Sequence, residues 1–325
     1  MKSVKTILLS IVKVIAVPVI IFLVLMAAYP KNVNFSTFFN VMYQAIAPSV
    51  LAWGMLYNIK VNNWDFSVGA SAMFAAIYGG QLALSFGFGF AGVLVACVLL
   101  GLICGALNGV LYTVLKIPTI IITVGLCLIL EGLSAIGFKG GGVMLTQDMI
   151  VLNSFVPQII FGLAALAIAF VLYNYLPVGY HIRAVGSSSA IAVQKGINVM
   201  RVKVSALIIA GMFAGLYAAV TLGTSGVYRP ATNSMGTLNT CFDAMMCVFV
   251  GMCLENAANL VISVYIGAVI LKYVKLTLML VGTQSAYDQI FIAVFVLVVL
   301  CYSTWRENMQ AEKIYKHRTL TNIKL

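Results

Sequence analysis

Ten stretches of this chain stay apolar for about 20 residues at a time, the length a helix needs to cross a hydrocarbon core. They cover residues 7–29, 38–57, 66–86, 90–115, 118–138, 155–176, 204–223, 238–254, 257–276 and 287–303. Soluble proteins carry Lys, Arg, Asp and Glu at about a quarter of their positions. Here those residues make up 8% and apolar ones 62%, so water is not the main solvent. The expected fold class is therefore all-α: a polytopic membrane protein with about ten transmembrane helices over residues 1–305, and a basic cytoplasmic tail at 306–325. The eighth stretch is short and carries Asp243, which marks it as a broken or re-entrant element. Membranes tolerate such elements only where protein or a water-filled cavity covers the backbone.

A net charge of +11 would suit a nucleic-acid partner, but the placement of the charge argues against one. With ten spans and an internal N-terminus, most Lys and Arg residues, among them Lys60, Lys116, Arg183, Lys195 and Lys203, fall on the cytoplasmic side. Lys31, Lys139 and Arg229 fall outside, and Lys272 and Lys275 lie near the outer end of the ninth span. That asymmetry is the positive-inside bias. Trp64 and Trp305 sit at inner boundaries, where aromatic anchors belong. The basic, apolar N-terminal run lacks a clear small-x-small cleavage site, so it is expected to be a retained first span rather than a cleaved signal peptide.

Few motifs in the chain carry chemistry. Gly87-Phe-Gly89-Phe-Ala-Gly92 fits a dinucleotide-binding pattern, but it joins two spans with no βαβ context and reads as a tight external turn. No GxxxxGK[ST] phosphate loop and no HExxH occur. The seven cysteines lie in apolar spans without a CxxC pair and read as small buried hydrophobes. Neither a metal site nor a catalytic set is expected, so the chain is not read as an enzyme. Glu131, inside the fifth span, is a functional candidate by default; a hydrated position near the outer interface is the alternative. Lys272 and Lys275 are read as snorkelling to the interface, against the sharper reading that they face a polar path.

The most informative stretch is a polar island, Tyr180–Lys203, in this apolar background. Gly186, Ser187, Ser188 and Ser189 supply N-cap chemistry, because a serine oxygen can accept from the free N–H groups of a first helical turn. A short helix is expected over 190–195, with Lys195 favourable in its last turn and Gly196 as the left-handed residue that stops it. Ala190, Ile191 and Val193 give that helix an apolar patch in a cytoplasmic loop. Such a patch docks either on a partner or on the protein's own helix ends.

The island's residues Gly179-Tyr-His-Ile-Arg183-Ala-Val-Gly186, Ala190-Ile-Ala192 and Gly196-Ile-Asn198-Val199 resemble the cytoplasmic coupling segment of ribose-type ABC importer permeases. That superfamily also holds branched-chain amino-acid permeases. Further landmarks follow in the family's order: Trp64-Asp-Phe-Ser-Val-Gly69, Gly105-Ala-Leu-Asn-Gly109, Lys116-Ile-Pro118 and Thr123-Val-Gly125. The resemblance implies a membrane permease subunit whose coupling segment (179–201) fits a separate cytoplasmic ABC ATPase. ATP and Mg would sit on that ATPase, with no cofactor on this chain. It also implies an extracytoplasmic solute-binding protein, a second permease copy or paralogue, and a bacterial cytoplasmic membrane with both termini inside. The expected solute is a monosaccharide or similar small polar molecule. Nucleosides, branched-chain amino acids and a motor-independent transporter remain alternatives.

The pattern breaks where the family carries a glycine-rich stretch, since Val250-Gly-Met-Cys-Leu-Glu-Asn-Ala-Ala-Asn259 keeps only Gly251. A different local backbone is expected there. A milder break puts three serines after Gly186, where the family commonly has G-G-N, and serine preserves the capping chemistry. For a polar path through the spans, the candidates are Gln44, Ser71, Asn108, Thr123, Asn256 and Asn259, with Asn108 first because it falls in a shared landmark. Each of these side chains could instead bond a neighbouring helix.

Overall fold

The structure is a computed structural model that describes residues 4–255, 258–282, 287, 290–299, 301 and 305, with residues 4–15 described by backbone alone. It divides into two compact units. One unit comprises residues 36–248, the other residues 1–35 and 249–325.

In the larger unit, the second expected span appears as two helices, α2 (Phe35–Gln44) and α3 (Ile46–Lys60). Pro48 explains the break, because it has no N–H to donate to the Gln44 carbonyl four residues earlier. α4 (Val68–Phe86) and α5 (Gly89–Leu115) are joined by the turn expected at 87–92, with Gly87 and Gly89 both at positive φ. α6 (Thr119–Ile136) and α7 (Phe155–Asn174) follow, separated by short 3-10 turns. Two amphipathic pieces come next: α8 (Pro177–Ser187), opened by a proline at its first position, and α9 (Ser189–Gln194). The long helix α10 (Val199–Ser225) then returns through the unit. A two-residue antiparallel pairing of β1 (Val143–Met144) with β2 (Val227–Tyr228) ties the loops at one end. α11 (Leu238–Cys253) completes the series.

α10 is the axis of this unit, and its contact with α5 is made through glycines. A Cβ on Gly101 would collide with the carbonyl of Gly211 and come within 2.7 Å of the Gly215 nitrogen. A Cβ on Gly105 would come within 2.7 Å of the Leu207 carbonyl, and one on Gly215 would strike that of Cys97. The pairs Gly101/Gly105 and Gly211/Gly215 each recur four residues apart, so each helix presents a flat stripe that lets the backbones meet. On α10's other side, Tyr57 of α3 stacks on Phe213 with ring centroids 6.1 Å apart, and its hydroxyl donates to the Ala169 carbonyl of α7. α5 also carries a second stripe, Val95, Leu99, Ile103, Leu107, Val110 and Val114, which is exposed and wholly aliphatic. That is the surface a lipid-facing helix requires.

In the smaller unit, α1 (Val4–Ala28) and α12 (Leu260–Val281) pair, with Phe22 and Tyr273 rings 6.4 Å apart. The surviving glycine of the altered stretch keeps a packing role, since a Cβ on Gly251 would come within 2.7 Å of the Val264 backbone.

Among the described residues, six helices are long and apolar enough to cross a membrane: Val68–Phe86, Gly89–Leu115, Thr119–Gly140, Phe155–Asn174, Val199–Ser225 and Leu260–Val281. Residues 16–28, 238–253 and 290–299 form shorter apolar helices. The all-α membrane class therefore stands on six spans by length, and the expected count of ten is not reached by that criterion.

Candidate functional site

At the polar island the local chemistry produces the expected helix, shifted by one residue. Ser188 is the N-cap of α9, its hydroxyl accepting from the Ile191 amide at 3.4 Å. Ser187 belongs to the end of α8, where its hydroxyl donates to the Ala184 carbonyl, and Ser189 opens α9. Lys195 is the C-cap residue, and Gly196 follows at φ +80°. Gly196 donates to the Val193 carbonyl and Ile197 to the Ala192 carbonyl, which closes the helix end.

Two features seat this joint on the spans. Gly186 lies against α3, since a Cβ there would collide with the Lys60 carbonyl. The Arg183 guanidinium sits 5.4 Å from the centroid of the Tyr173 ring on α7, a cation–π contact that fixes α8. Between the joint and the start of α10 lies a hollow of about 330 Å³ lined by Lys60, Asn62, Gly186, Ser188, Ser189 and Lys203, among others. The apolar patch then divides. Ala192 is buried against the protein itself, while Ile191 and Val193 are 59% and 60% exposed and Ala190 is exposed beside them.

A second constellation gathers at the entry to α4. Asp65 is buried and accepts from the Ser67 amide at 3.0 Å, the Ser67 hydroxyl at 2.7 Å and Asn58 Nδ2 at 3.1 Å. Asn108 Nδ2 donates to the Ser67 hydroxyl at 3.2 Å, and the Thr123 hydroxyl donates to the Trp64 carbonyl. The Cys241 thiol donates to the Asp65 carbonyl. Two amide oxygens in this cluster, Asn58 Oδ1 and Asn108 Oδ1, have no partner among the described residues. Burial pushes the Asp65 carboxyl up to about 6, against the opposing pull of its hydrogen bonds. A raised carboxyl favours the folded state fully below the ordinary value of 3.8, and that contribution is lost as pH rises to about 6. Asp65→Asn is therefore expected to remove a pH-dependent loss of about 1 kcal/mol between pH 5 and 7.5, since an amide there carries no charge and can face the Asn58 oxygen. Thermal unfolding of the detergent-purified chain at pH 5 and 7.5 reads this out. An unchanged difference between the two pH values would refute the assignment.

Three of the path candidates lie together. Asn108 (1% exposed), Ser71 and Thr123 are buried where α4, α5 and α6 meet, and Asn108 and Thr123 bond neighbouring elements. Gln44 is exposed at the end of α2. Asn259 caps α12 by accepting from the Val261 amide at 3.1 Å. Asn256 lies outside the described residues.

Glu131 has a structural partner that sequence spacing could not supply. Its carboxylate accepts from the amides of Met235 at 2.7 Å and Thr237 at 2.8 Å and from the Thr237 hydroxyl at 2.6 Å. It thus binds the N–H groups just before α11, where the positive end of a helix dipole favours an anion. The hydrated-interface alternative does not hold, because Glu131 is buried. Among the described residues no group of His, Cys, Asp and Glu could hold a metal ion.

A bundle of lipid-length helices carrying a capped amphipathic piece outside the spans defines a polytopic membrane protein. Residues 37–300 match the family described as branched-chain amino acid transport system / permease component, and the chain belongs to that family. It is similar to the ribose import permease protein of Escherichia coli, 27% identical over 83% of this chain and 86% of that protein. It is also similar to the galactose/methyl galactoside import permease protein of Haemophilus influenzae, at 24% over 82% and 86%. The L-arabinose ABC transporter permease protein of Azospirillum brasilense is 23% identical over 90% and 88%. No solved structure matches.

Proposed function

We propose that this chain is the membrane-spanning subunit of an ABC importer that carries a monosaccharide, or a similar small polar solute, by alternating access. A separate ATPase holding ATP and Mg drives it, and α9 is the helix that receives the force. The observation that carries this reading is the exposure of two apolar side chains, Ile191 and Val193, on a short helix capped at both ends. Burying two such side chains stabilises an interface by about 1.5 to 3 kcal/mol each, and α9 follows directly on α8, which is held against α3 and α7. Arg183, Gly186, Ser187, Ser188, Ser189, Lys195 and Gly196 shape and seat the helix, while Ala190, Ile191 and Val193 make the contact. An extracytoplasmic binding protein delivers the solute, and a second permease copy or paralogue completes the pathway. The complex sits in a bacterial cytoplasmic membrane with both termini inside. The sugar class is supported by the relatives named for ribose, galactose and arabinose.

The test is reconstitution into proteoliposomes with a candidate ABC ATPase and solute-binding protein. Uptake of radiolabelled D-ribose, D-galactose, L-arabinose and L-leucine is then followed with and without ATP. ATP-dependent uptake of one of the sugars is expected. Equal flux through the chain without its ATPase would refute the motor-driven reading, and uptake of L-leucine alone would refute the sugar class.

A further inference from the structure

Between β2 and α11 the chain is not helical, yet it runs deep among the spans. The Ala231 amide lies 3.3 Å from the Met73 sulfur on α4, and the Met235 amide donates to Glu131 on α6. Met73 and Glu131 are both more than a full turn from either end of their helices. Residues 232–234 are bracketed by those two contacts and therefore lie at membrane depth. Thr232, Asn233 and Ser234 are all exposed, and none of their side chains has a hydrogen-bond partner among the described residues. The exposed surface continues onto α11 with Asn239 and Phe242, three residues apart on one face.

Lipid cannot cover such a surface. Hydrocarbon offers nothing to unpaired amide and hydroxyl groups, so irregular polar backbone at this depth occurs only against protein or a water-filled cavity. The lipid-facing stripe of α5, which is aliphatic throughout, provides the contrast within the same unit. Glu131 already occupies the N–H groups at the start of α11, so the groups left for a ligand are neutral donors and acceptors, with one aromatic face at Phe242. The neutral groups of the tip suit the hydroxyls of a polyhydroxylated solute. We infer that the tip Thr232-Asn233-Ser234, with Asn239 and Phe242, lines the aqueous solute path and hydrogen-bonds solute hydroxyls as they pass mid-membrane. This rests on the transport reading above and assigns solute contact to residues other than the buried Asn108, Ser71 and Thr123.

The test begins with thiol accessibility, which does not depend on the motor. In a chain carrying Cys253→Ser and Cys301→Ser, the two cysteines that are not buried are removed. Asn233→Cys and, as the lipid-facing control, Ile103→Cys are then treated in membranes with a trimethylammonium methanethiosulfonate. The thiol at 233 is expected to react at least tenfold faster than that at 103. Equal inertness would overturn the inference. Asn233→Leu in the reconstituted complex is then expected to raise the KM for D-ribose uptake about tenfold, the equivalent of one lost hydrogen bond, with ATPase co-purification unchanged. A reactive thiol with unaltered uptake kinetics for Asn233→Leu and Thr232→Ala would overturn solute contact. Wild-type membranes that take up none of the sugars would instead refute the sugar reading, and the labelling ratio would still decide whether the tip meets water.

Discussion

Gly101→Val is expected to yield no folded protein, whereas Gly125→Ala and Gly132→Ala are expected to be tolerated. All three glycines lie inside apolar helices. They differ in what a side chain would meet. At 101 it would drive into the Gly211 carbonyl and the Gly215 backbone, and neither atom can turn away as a flexible side chain could. α5 and α10 would have to separate along the stripe, which forfeits close packing over several turns at a cost of 4 kcal/mol or more, on the order of the whole stability margin of many domains. At 125 and 132 nothing lies within 4 Å, and alanine gains up to about 1 kcal/mol of helix propensity. Monodisperse yield after detergent extraction, followed by a melting curve, separates these outcomes. A well-folded Gly101→Val chain would mean that α5 and α10 do not meet through their backbones.

Ile191→Asp is expected to abolish ATPase co-purification and ATP-dependent uptake while leaving the purified chain's melting temperature within about 2 °C. The side chain is 59% exposed, so the charge has little effect on the isolated fold. At an interface, it loses the apolar contact and buries an unpaired carboxylate, together worth 3 kcal/mol or more and over a hundredfold in affinity. Ala192→Asp is the informative contrast. Ala192 is buried against the chain itself, so that change should lower stability as well as coupling. Retention of the ATPase by Ile191→Asp would remove α9 from the contact.

The parts of this arrangement written in local chemistry could be read from the sequence. Ser188 and Gly196 bound α9 because capping needs only neighbours in the chain, and Gly87 and Gly89 make their turn for the same reason. Pro48 is a visible signal for the break after Gln44, masked by the apolar residues around it. The paired spacings Gly101-Leu-Ile-Cys-Gly105 and Gly211-Met-Phe-Ala-Gly215 were also in plain view as helix-packing stripes. What they could not disclose was that they face each other. Glu131 was ambiguous for a related reason, since its partners Met235 and Thr237 lie more than a hundred residues away. A shared landmark puts Asn108 first among the sequence candidates, and Asn233 is not among them. Inside a membrane, however, a polar side chain either joins helices or lines a path, and only burial separates the two.

The grip of Glu131 on the chain before α11 also sets an order on biogenesis. Residues 229–253 combine an irregular stretch of bends and turns with a helix of 16 residues, too little continuous helix to satisfy its own backbone in a bilayer on leaving the insertion machinery. The carboxylate that receives those amides emerges from the ribosome about a hundred residues earlier, on α6. The late segment therefore threads into a receptacle its own chain has already built, and a truncation that removed α6 would leave it stranded at the interface.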